Sequence, residues 1–457
     1  MPTLIDDTIA AISTPLGRGG IGIVRLSGKG ARQICERIFR GRHSRLTDRE
    51  PSLGTIVEPT TGHPLDQVLL TYFKAPRSYT SEDVVEISCH GSPVVLKRVL
   101  GLVLDAGARL ANPGEFTLRS FLRGRIDLVQ AEAVRDLIEA KTLFQAKVAH
   151  QQATGSVSSR LKPTKSRLVE LISLLEAGID FAEDDVTVLS WEEIRQRLAQ
   201  LAADLQEFHD SFRMGKVVTE GLCVAIIGRP NVGKSSLFNA LLQEERAIVT
   251  EVPGTTRDIV SETAEIGGVP VRLLDTAGIR NVVDQVENLG IIKSQQALAD
   301  ADRVLLVLDG ASAIHSDDLS LLNMVSTRDF HLIVNKIDLP QKAEWGAFAR
   351  QASNVTRVSA KTREGIDQVR RSLLGNLETD RVLEDDAGFL TNARHERLVW
   401  EALEGVRRAE ESSRNQLPHE VVLVDLYASL KAINAMTGET TVEDILDHIF
   451  STFCIGK

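Results

Sequence analysis

A glycine-rich segment in the second half of the chain has the residue types needed to hold phosphate groups. Residues 228–235 read Gly-Arg-Pro-Asn-Val-Gly-Lys-Ser and fit the pattern G-x-x-x-x-G-K-[ST]. The segment lies between the apolar run CVAII and the helix-like run SLFNALL, so backbone N–H groups and a helix N-terminus would converge on an anion. Lys234 is expected to contact the β- and γ-phosphates, and the Ser235 hydroxyl to bind Mg²⁺. The predicted nucleotide site also includes Asn231, Val232, Gly233 and Ser236.

Three later segments together indicate that the bound nucleotide is GTP. The carboxylate of Asp275 can support the Mg²⁺ shell, and the N–H of Gly278 can meet the γ-phosphate. The carboxylate of Asp338 can accept hydrogen bonds from the N1–H and 2-amino group of guanine, which adenine does not offer. All these segments follow apolar runs, and α/β folds bind ligands at the ends of their strands. The residues assigned to GTP here are Asp275, Thr276, Ala277, Gly278, Asn335, Lys336, Asp338, Ser359, Ala360 and Lys361.

A polar, turn-forming segment between these motifs resembles a nucleotide-sensing loop. It reads TEVPGTTRD over 250–258, and Thr256 is the residue expected to reach Mg²⁺ when the γ-phosphate is present. An ordinary exposed loop is the alternative interpretation. The residues assigned to GTP in this segment are Thr250, Glu251, Val252, Pro253, Gly254, Thr255 and Thr256.

The chain lacks the water-orienting Gln at the position where small signalling GTPases carry it. Ile279 occupies the position of their water-orienting Gln, and an apolar side chain cannot orient water. Asn231 offers a side-chain oxygen near the β- and γ-phosphates, where a monovalent cation could neutralise developing charge. The alternative is that Asn231 only braces the loop.

The chain contains three kinds of hydrophobic pattern, each typical of a different type of domain. Five continuous apolar runs (LCVAIIG, VPVRLLD, RVLLVLDG, FHLIVNKID and VTRVSA) predict a parallel sheet covered on both faces, and hence an α/β P-loop GTPase domain of Ras-like type over 216–379. Residues 1–118 are rich in short strands and predict an α+β domain. Helical periodicity over 119–215 and 380–457 predicts a discontinuous α-helical domain that the GTPase domain interrupts.

Composition limits the possible partners and compartment. The 457 residues carry 53 Lys and Arg against 63 Asp and Glu, a formal charge of −10, which argues against coating nucleic acid by bulk charge. The four cysteines are far apart, so neither a zinc site nor a disulfide framework is indicated. No apolar run reaches the length of about 18 residues that spans a membrane, and the N-terminus lacks the features of a signal peptide. A cytoplasmic protein without membrane contact is therefore expected.

Beyond the nucleotide motifs, several distinctive stretches carry a family resemblance. These are TPLGRGGIGIVRLSG (14–28), NPGEFTLRSFLRGRIDLVQAEAV (112–134), EAGIDFAEDD (176–185) and the terminal FCIGK. Together with the ordered GTPase motifs they resemble the MnmE (TrmE) family of tRNA-modification GTPases from end to end.

The resemblance implies a specific activity and set of partners. Members of this family act with an FAD-dependent partner, MnmG (GidA), in a heterotetramer and add a carboxymethylaminomethyl or aminomethyl group at C5 of the wobble uridine of certain tRNAs. A 5-formyl- or 5,10-methylene-tetrahydrofolate supplies the one-carbon unit. The N-terminal domain (1–118) binds the folate and forms a homodimer. Potassium in the GTP site orders the nucleotide-sensing loop and promotes dimerisation of the GTPase domains.

The resemblance also assigns roles to particular residues. Asn231, Thr250, Val252 and Thr255 would hold K⁺, Ser235 and Thr256 would hold Mg²⁺, and Glu287 would orient the attacking water. Arg25, Glu86, Arg125 and Lys457 would bind the folate, because guanidinium and ammonium groups pair with its carboxylates and a carboxylate accepts the parallel N–H bonds of the pterin edge. Arg125 stands where lysine is common in the family, so its planar fork would make a different contact.

Two questions stay open at this level. Cys454, near the end of the sequence, is a candidate for chemistry on uridine or folate, but a buried small side chain is an equal alternative. The main alternative function is a GTP-controlled ribosome-assembly factor that binds rRNA without covalent chemistry. A switch that only gates its partner's chemistry is a further alternative.

Overall fold

The computed structural model describes residues 7–41, 46–180, 189–242, 261–266, 269–275, 301–374, 388–440 and 443–456. Contacts divide the chain into two compact units. The first comprises residues 1–135, 152–158 and 427–457, and the second comprises 136–151 and 159–426. The sequence-based domain boundaries remain predictions.

The first unit is built on a seven-stranded mixed sheet. Its strand order is β3-β4-β5-β6-β2-β1-β7, and every pairing is antiparallel except that of β1 with β7. The strands are β1 (Ile9–Ile12), β2 (Ile21–Ser27), β3 (Phe39–Gly41), β4 (Ser52–Val57), β5 (Pro64–Phe73), β6 (Val84–His90) and β7 (Arg109–Leu110).

Alternation along the strands divides the sheet into two unlike faces. In β2, Val24 and Leu26 point into a core that helices α1 (Ala31–Ile38) and α2 (Pro93–Asp105) cover. The intervening residues of β2 lie on the other face, where Arg25 stands directly opposite Glu86 of β6 in the strand register. This second face carries the polar site described below.

A helix from the far end of the sequence packs against two helices of the first unit. Helices α3 (Glu115–Leu122) and α4 (Leu128–Glu139) form an apolar cluster with the last helix, α15 (Glu443–Ser451). Phe450 and Phe453 are buried in this cluster, and their rings lie 5.4 Å apart. The residues near the C-terminus therefore fold into the first unit.

The second unit contains a six-stranded sheet of order β13-β12-β11-β8-β10-β9. Five strands are parallel, and β9 pairs antiparallel with β10. The strands are β8 (Leu222–Ile227), β9 (Ser261–Ile266), β10 (Val269–Asp275), β11 (Arg303–Asp309), β12 (Phe330–Asn335) and β13 (Asn354–Arg357). Strands β8, β11 and β12 are buried almost throughout, as the continuous apolar runs predict.

Helices cover both faces of this sheet. Apolar residues of α9 (Lys234–Leu242) and α12 (Ile366–Leu374) pack on one face, and those of α10 (Ser316–Val325) and α11 (Gly346–Ala349) on the other. The predicted α/β architecture of the GTPase domain is confirmed. Strand β9, which has little apolar content, was not predicted.

The remaining helices complete the second unit. They are α5 (Leu143–Ala153), α6 (Ser156–Asp180), α7 (Trp191–Asp210), α8 (Phe212–Glu220), α13 (Ala393–Arg414) and α14 (His419–Thr437), of which α5, α6 and α14 extend into the first unit. A capping box formed by Ser190 and Glu193 opens α7. Near the end of α7, His209 bonds Glu396 near the start of α13 at 3.0 Å, so the two helices run antiparallel. Within the described ranges, no helix is long and apolar enough to cross a membrane.

Candidate functional site

The predicted nucleotide residues gather at one edge of the sheet in the second unit. The loop 228–233 follows β8, Asp275 ends β10, and Asn335 ends β12. Since these strands are parallel, their carboxyl ends meet at the same edge. The structure thus places the loop predicted to bind phosphate at the same edge as the segments predicted to bind guanine.

The phosphate-binding loop has a backbone that only certain residues adopt. Gly233 has a φ of +97°, and a Cβ there would lie 2.3 Å from the Nδ2 of Asn335, so only glycine fits. Lys234 is buried at the start of α9, where its ammonium donates to the carbonyls of Gly228 (2.7 Å) and Arg229 (3.1 Å). This ammonium lies inside the loop that would surround an anion.

Asn335 links the base-binding segments to the phosphate-binding loop. Its side chain is almost fully buried; Nδ2 donates to the carbonyl of Val232 at 2.9 Å, and Oδ1 accepts the N–H of Ala360 at 3.0 Å. Because both ends of the amide are bonded, Asn335 fixes the spacing of three separate segments. It therefore acts as a brace inside the site.

A charged pair supports the same loop from a neighbouring strand. Lys336 has a φ of +65°, and its ammonium donates to the carbonyl of Asn231 (2.8 Å) and to Oδ2 of Asp309 (2.7 Å) at the end of β11. Burial disfavours the charged form of Asp309, but the Lys336 ammonium, the N–H of Ala311 and the hydroxyl of Ser312 together outweigh it, and the pKa of this carboxyl lies below its usual value. Asn231 itself has a φ of +67° and an exposed side chain.

The carboxylate that the sequence predicts for guanine recognition, Asp338, is exposed and held in one orientation. Asp338 Oδ1 accepts the hydroxyl proton of Ser359 at 2.7 Å, and the same hydroxyl oxygen accepts the N–H of Thr362 at 3.1 Å. Lys361 is exposed beside them. The fixed carboxylate can accept two parallel N–H bonds from a base edge, as the sequence predicts.

Several predicted residues lie outside the described part of the chain, and their roles stay predictions. Ser235 and Ser236 are described and exposed at the start of α9, while only the backbone is described for Asp275. Those outside are Thr250, Glu251, Val252, Pro253, Gly254, Thr255, Thr256, Thr276, Ala277, Gly278, Glu287 and Lys457.

A second cluster of predicted residues lies on the polar face of the sheet in the first unit. The Nε and Nη2 atoms of Arg25 bond the Oε1 of Glu86 at 2.9 and 2.7 Å. The two side chains are 17% and 24% exposed, so a ligand can reach them. Arg25 also donates to the carbonyl of Gly456 at 3.4 Å, which brings the C-terminal segment to this pair.

Aromatic rings form the wall of this cluster. The guanidinium of Arg25 lies 5.7 Å from the ring centre of Tyr79 and 5.8 Å from that of Phe116. The Tyr79 hydroxyl shares a hydrogen bond of 2.9 Å with Thr117. Burial raises the pKa of the Tyr79 phenol, while Thr117 and the charges of Arg25 and Arg125 act the other way. Exposed Arg125 thus lies near enough to Tyr79 for its charge to act on the phenol.

The cysteines differ sharply in accessibility. Cys454 is exposed, whereas Cys35, Cys89 and Cys223 are buried. Burial raises the pKa of the Cys89 thiol to about 12, and it also raises that of Cys35. Cys454 lies two residues before Gly456, whose carbonyl reaches Arg25.

Sequence reasoning did not single out several residues of these clusters. Asp309 ends an apolar run in the same way as Asp275, a signal that could have identified it. Tyr79 and Phe116 carry no signal, because only the folded sheet brings them to Arg25.

Comparison with known proteins covers the whole chain. A sequence profile of the MnmE helical domain matches residues 128–454, and one of the N-terminus of the GTP-binding protein TrmE matches residues 8–125. A tRNA modification GTPase MnmE from Koribacter versatilis is 51% identical over 99% of this chain and 100% of its own length. Those of Alkaliphilus oremlandii and Aquifex aeolicus are 42% and 43% identical over the same shares. Among solved structures, the G domain of the T. maritima FeoB iron transporter aligns at 27% identity over 34% of this chain and 96% of its own, with a TM-score of 0.27.

Proposed function

The chain belongs to the MnmE family of tRNA modification GTPases, and from that premise we propose that its reaction adds a carboxymethylaminomethyl or aminomethyl group at C5 of a wobble uridine. It is a GTP-hydrolysing enzyme of tRNA modification. The one-carbon donor in the proposal is a 5-formyl- or 5,10-methylene-tetrahydrofolate. The proposal includes an FAD-dependent MnmG partner in a heterotetramer and a cytoplasmic location.

The Arg25–Glu86 pair is the observation that carries the folate part of the proposal. The reachable carboxylate of Glu86 can accept the 2-amino and ring N–H groups of a pterin. Nearby Arg25 and Arg125 can pair with carboxylates of the ligand, and the rings of Tyr79 and Phe116 give an apolar wall. The donor and acceptor types therefore fit a reduced folate. Lys457 is proposed as a further contact.

Binding and activity together test this function. Purified full-length chain should bind 5-formyltetrahydrofolate, and a chain truncated at Lys457 should bind it more weakly. Nucleoside analysis of tRNA from cells that lack the protein should show unmodified wobble uridine. If folate does not bind and the wobble uridine is unaltered in such cells, the proposal is wrong and rRNA binding without covalent chemistry becomes the better interpretation.

The nucleotide site supports a metal-assisted hydrolysis. Ser235 and Thr256 are proposed to hold Mg²⁺, a hard cation that prefers oxygen ligands. Asn231, Thr250, Val252 and Thr255 are proposed to hold K⁺, which supplies positive charge near the β- and γ-phosphates. The exposed side chain of Asn231, on a backbone that Lys336 holds, fits a cation ligand. Glu287 is proposed to orient the attacking water.

Salt exchange tests the potassium proposal. GTP turnover should rise several-fold when Na⁺ is replaced by K⁺, and Asn231→Ala should remove the difference. Glu287→Ala should leave GTP affinity nearly intact while hydrolysis falls. Equal rates in both salts would rule out the cation mechanism without affecting the folate proposal.

Homodimerisation through the N-terminal domain is also proposed. Leu53 and Leu69 stand opposite each other on β4 and β5 and are 61% and 42% exposed, which is unusual for paired leucines in a sheet. A second copy of the chain would cover this pair. Sedimentation of a Leu69→Asp variant should show monomer if this surface forms the dimer.

A further inference from the structure

One charged residue in loop 228–233 is not explained by the nucleotide motif. The pattern G-x-x-x-x-G-K-[ST] requires glycines, a lysine and a hydroxyl, and it leaves the second position free. That position is Arg229, whose side chain is only 20% exposed although the neighbouring Pro230 and Asn231 are exposed. A long charged side chain that is largely buried needs a partner of opposite charge.

The partner is a buried carboxylate on α10, the helix that follows β11. Nε of Arg229 lies 3.2 Å from Oδ2 of Asp318, whose side chain is 2% exposed. Oδ1 of Asp318 is also buried and forms no hydrogen bond within the described part of the chain. Because a carboxylate removed from water needs a countercharge, Asp318 and Arg229 hold each other in place.

The cap of α10 does not by itself account for this burial. Oδ2 of Asp318 accepts the backbone N–H of His315 at 3.0 Å, as in a capping box. In α7, Glu193 makes the same contact with the N–H of Ser190 at 2.8 Å, and its side chain is exposed. A carboxylate can therefore cap a helix of this protein while it remains in water. The first turn of α10 orients Asp318, and its burial serves the ion pair with Arg229.

Arg229 also contributes to the contacts of the lysine predicted to bind phosphate. The Lys234 ammonium donates to the carbonyl of Arg229 at 3.1 Å and to that of Gly228 at 2.7 Å. The guanidinium held by Asp318 and this carbonyl belong to the same residue. The ion pair therefore limits how far one of the two acceptors of Lys234 can move.

We propose that Asp318 is a positioning residue for nucleotide binding, because its carboxylate fixes Arg229 and thereby the loop carbonyl that orients Lys234. This inference rests on the predicted nucleotide site and is independent of the folate and potassium proposals. It gives a role in that site to α10, which carries none of the nucleotide motifs. When the charge of Asp318 is removed, Arg229 is released, and the Lys234 ammonium loses the fixed geometry that phosphate binding needs.

Two substitutions test the ion pair in the full-length chain. Asp318→Asn removes the charge and keeps an oxygen for the N–H of His315, whereas Arg229→Gln leaves the cap of α10 untouched. Each should raise the Kd of a fluorescent GDP analogue and the KM for GTP about tenfold, the effect of one contact between charged groups. Since both break the same contact, the double variant should also be weakened only about tenfold.

The neighbouring residue of α10 provides a matched control. Asp317→Asn removes the same charge from the same helical turn, but Asp317 is 64% exposed and lies near His315, which is 63% exposed. The Kd of the GDP analogue should therefore stay within about twofold of that of the natural chain. Lys234→Ala removes the predicted phosphate contact itself and should weaken GDP binding more than any of the other variants.

Binding constants separate a positioning role from a merely structural one. A variant that only folds less well contains fewer active molecules, which lowers kcat and leaves KM and Kd unchanged. An unchanged Kd in Asp318→Asn or Arg229→Gln would therefore overturn the inference. A double variant weakened about a hundredfold would overturn it as well, because the two residues would then act independently.

The two remaining variants identify other ways in which the inference can fail. An equal loss of affinity in Asp317→Asn would assign the effect to the general charge of the helix and overturn a role specific to Asp318. Natural GDP affinity in Lys234→Ala would overturn the predicted nucleotide site, and the inference with it.

Discussion

His331 is a buried titratable residue at the end of β12 remote from the nucleotide edge. Its two ring nitrogens bond the hydroxyls of Thr356 (2.9 Å) and Ser372 (2.9 Å), which join β12 to β13 and α12. Burial is the main reason that the pKa of His331 falls to about 4, and the charge of Arg303 adds to it. The imidazole is therefore neutral at physiological pH and serves as a structural link.

The low pKa of His331 predicts a specific acid sensitivity. The unfolded chain takes up this proton near pH 6.5 and the folded chain only near pH 4, so stability falls as the pH is lowered through that window. Between pH 7 and 5 the loss should be about 2 kcal/mol. Hydrogen exchange of the β12 and β13 amides can measure it. His331→Gln should flatten this pH dependence, and an unchanged profile in that variant would show that another group is responsible.

Asp309 is predicted to act on nucleotide affinity without touching the nucleotide. Its carboxylate holds the Lys336 ammonium, which in turn holds the carbonyl of Asn231. Asp309→Asn removes the charge on which this contact depends, so GDP affinity should fall about tenfold, the effect of one charge-assisted hydrogen bond. Asp302→Asn, at the other end of the same strand, is the matched control and should leave affinity nearly unchanged. Equal affinities in a fluorescent-nucleotide titration would contradict the prediction.

At the scale of elements, α3 connects the polar cluster to a buried ion network. One side of the helix supplies Phe116 and Thr117 to the surroundings of Arg25. The other side places Glu115 and Arg119 in a network with Asp7, Glu82, Arg109 and Arg123. Since three carboxylates and three guanidinium groups alternate there, the charges balance and the helix is fixed in one position.

Removing the central cation of this network should loosen α3. Arg119 is only 6% exposed and contacts Asp7, Glu82 and Glu115. Arg119→Met would leave these carboxylates short of one partner, with an expected loss of about 3 kcal/mol, measurable by hydrogen exchange of the α3 amides. Arg98→Met breaks the accessible pair of Arg98 with Glu58 and should have a much smaller effect. Comparable losses in both variants would contradict a special role for the buried network.

The same ion network makes the stability of α3 depend on pH in the acid range. Burial opposes ionisation of Asp7 and Glu115, but the guanidinium groups of Arg109 and Arg119 outweigh it and lower the pKa of both carboxyls. Their contribution to stability is therefore complete at neutral pH and is lost only as the pH falls below their usual values near 4.

At the scale of the whole molecule, both ends of the described chain contribute to the first unit. Residues of α15 bury Leu446, Ile449 and Phe450 against Leu128 and Ala131 of α4. These contacts span more than half of the sequence, with the whole GTPase domain between them. The apolar cluster holds α15, and the residues that follow this helix bring the carbonyl of Gly456 to 3.4 Å from the Nη1 of Arg25.

Weakening the apolar cluster should therefore lower the stability of the first unit and loosen α15. Phe450→Ala removes a ring that is 2% exposed and should cost about 3 to 5 kcal/mol. Ile445→Ala, on the same helix but 42% exposed, is the control and should cost much less. Limited proteolysis should cut the chain before α15 sooner in Phe450→Ala than in Ile445→Ala. Equal rates of cleavage would show that α15 does not depend on this packing.

The residue types of the nucleotide motifs and the fold class can be predicted from short contiguous stretches of the sequence. The nucleotide motifs lie next to the apolar runs that form β8, β10 and β12, and a motif with its strand is a local pattern of a few residues. The capping box of α7 is likewise a pattern of four consecutive residues. The resemblance to the family also came from contiguous stretches, and the comparisons confirm it.

The contacts between residues that are distant in sequence are visible only in the tertiary structure. The pairing of Arg25 with Glu86 depends on the register of β2 with β6, and the contact of Gly456 with Ser13 joins residues 443 positions apart in sequence. Two of the three partners of Arg119, Asp7 and Glu82, come from separate segments that no local pattern connects to it. Such contacts arise from the packing of whole elements, and their free energy depends on burial and geometry that residue types alone do not specify.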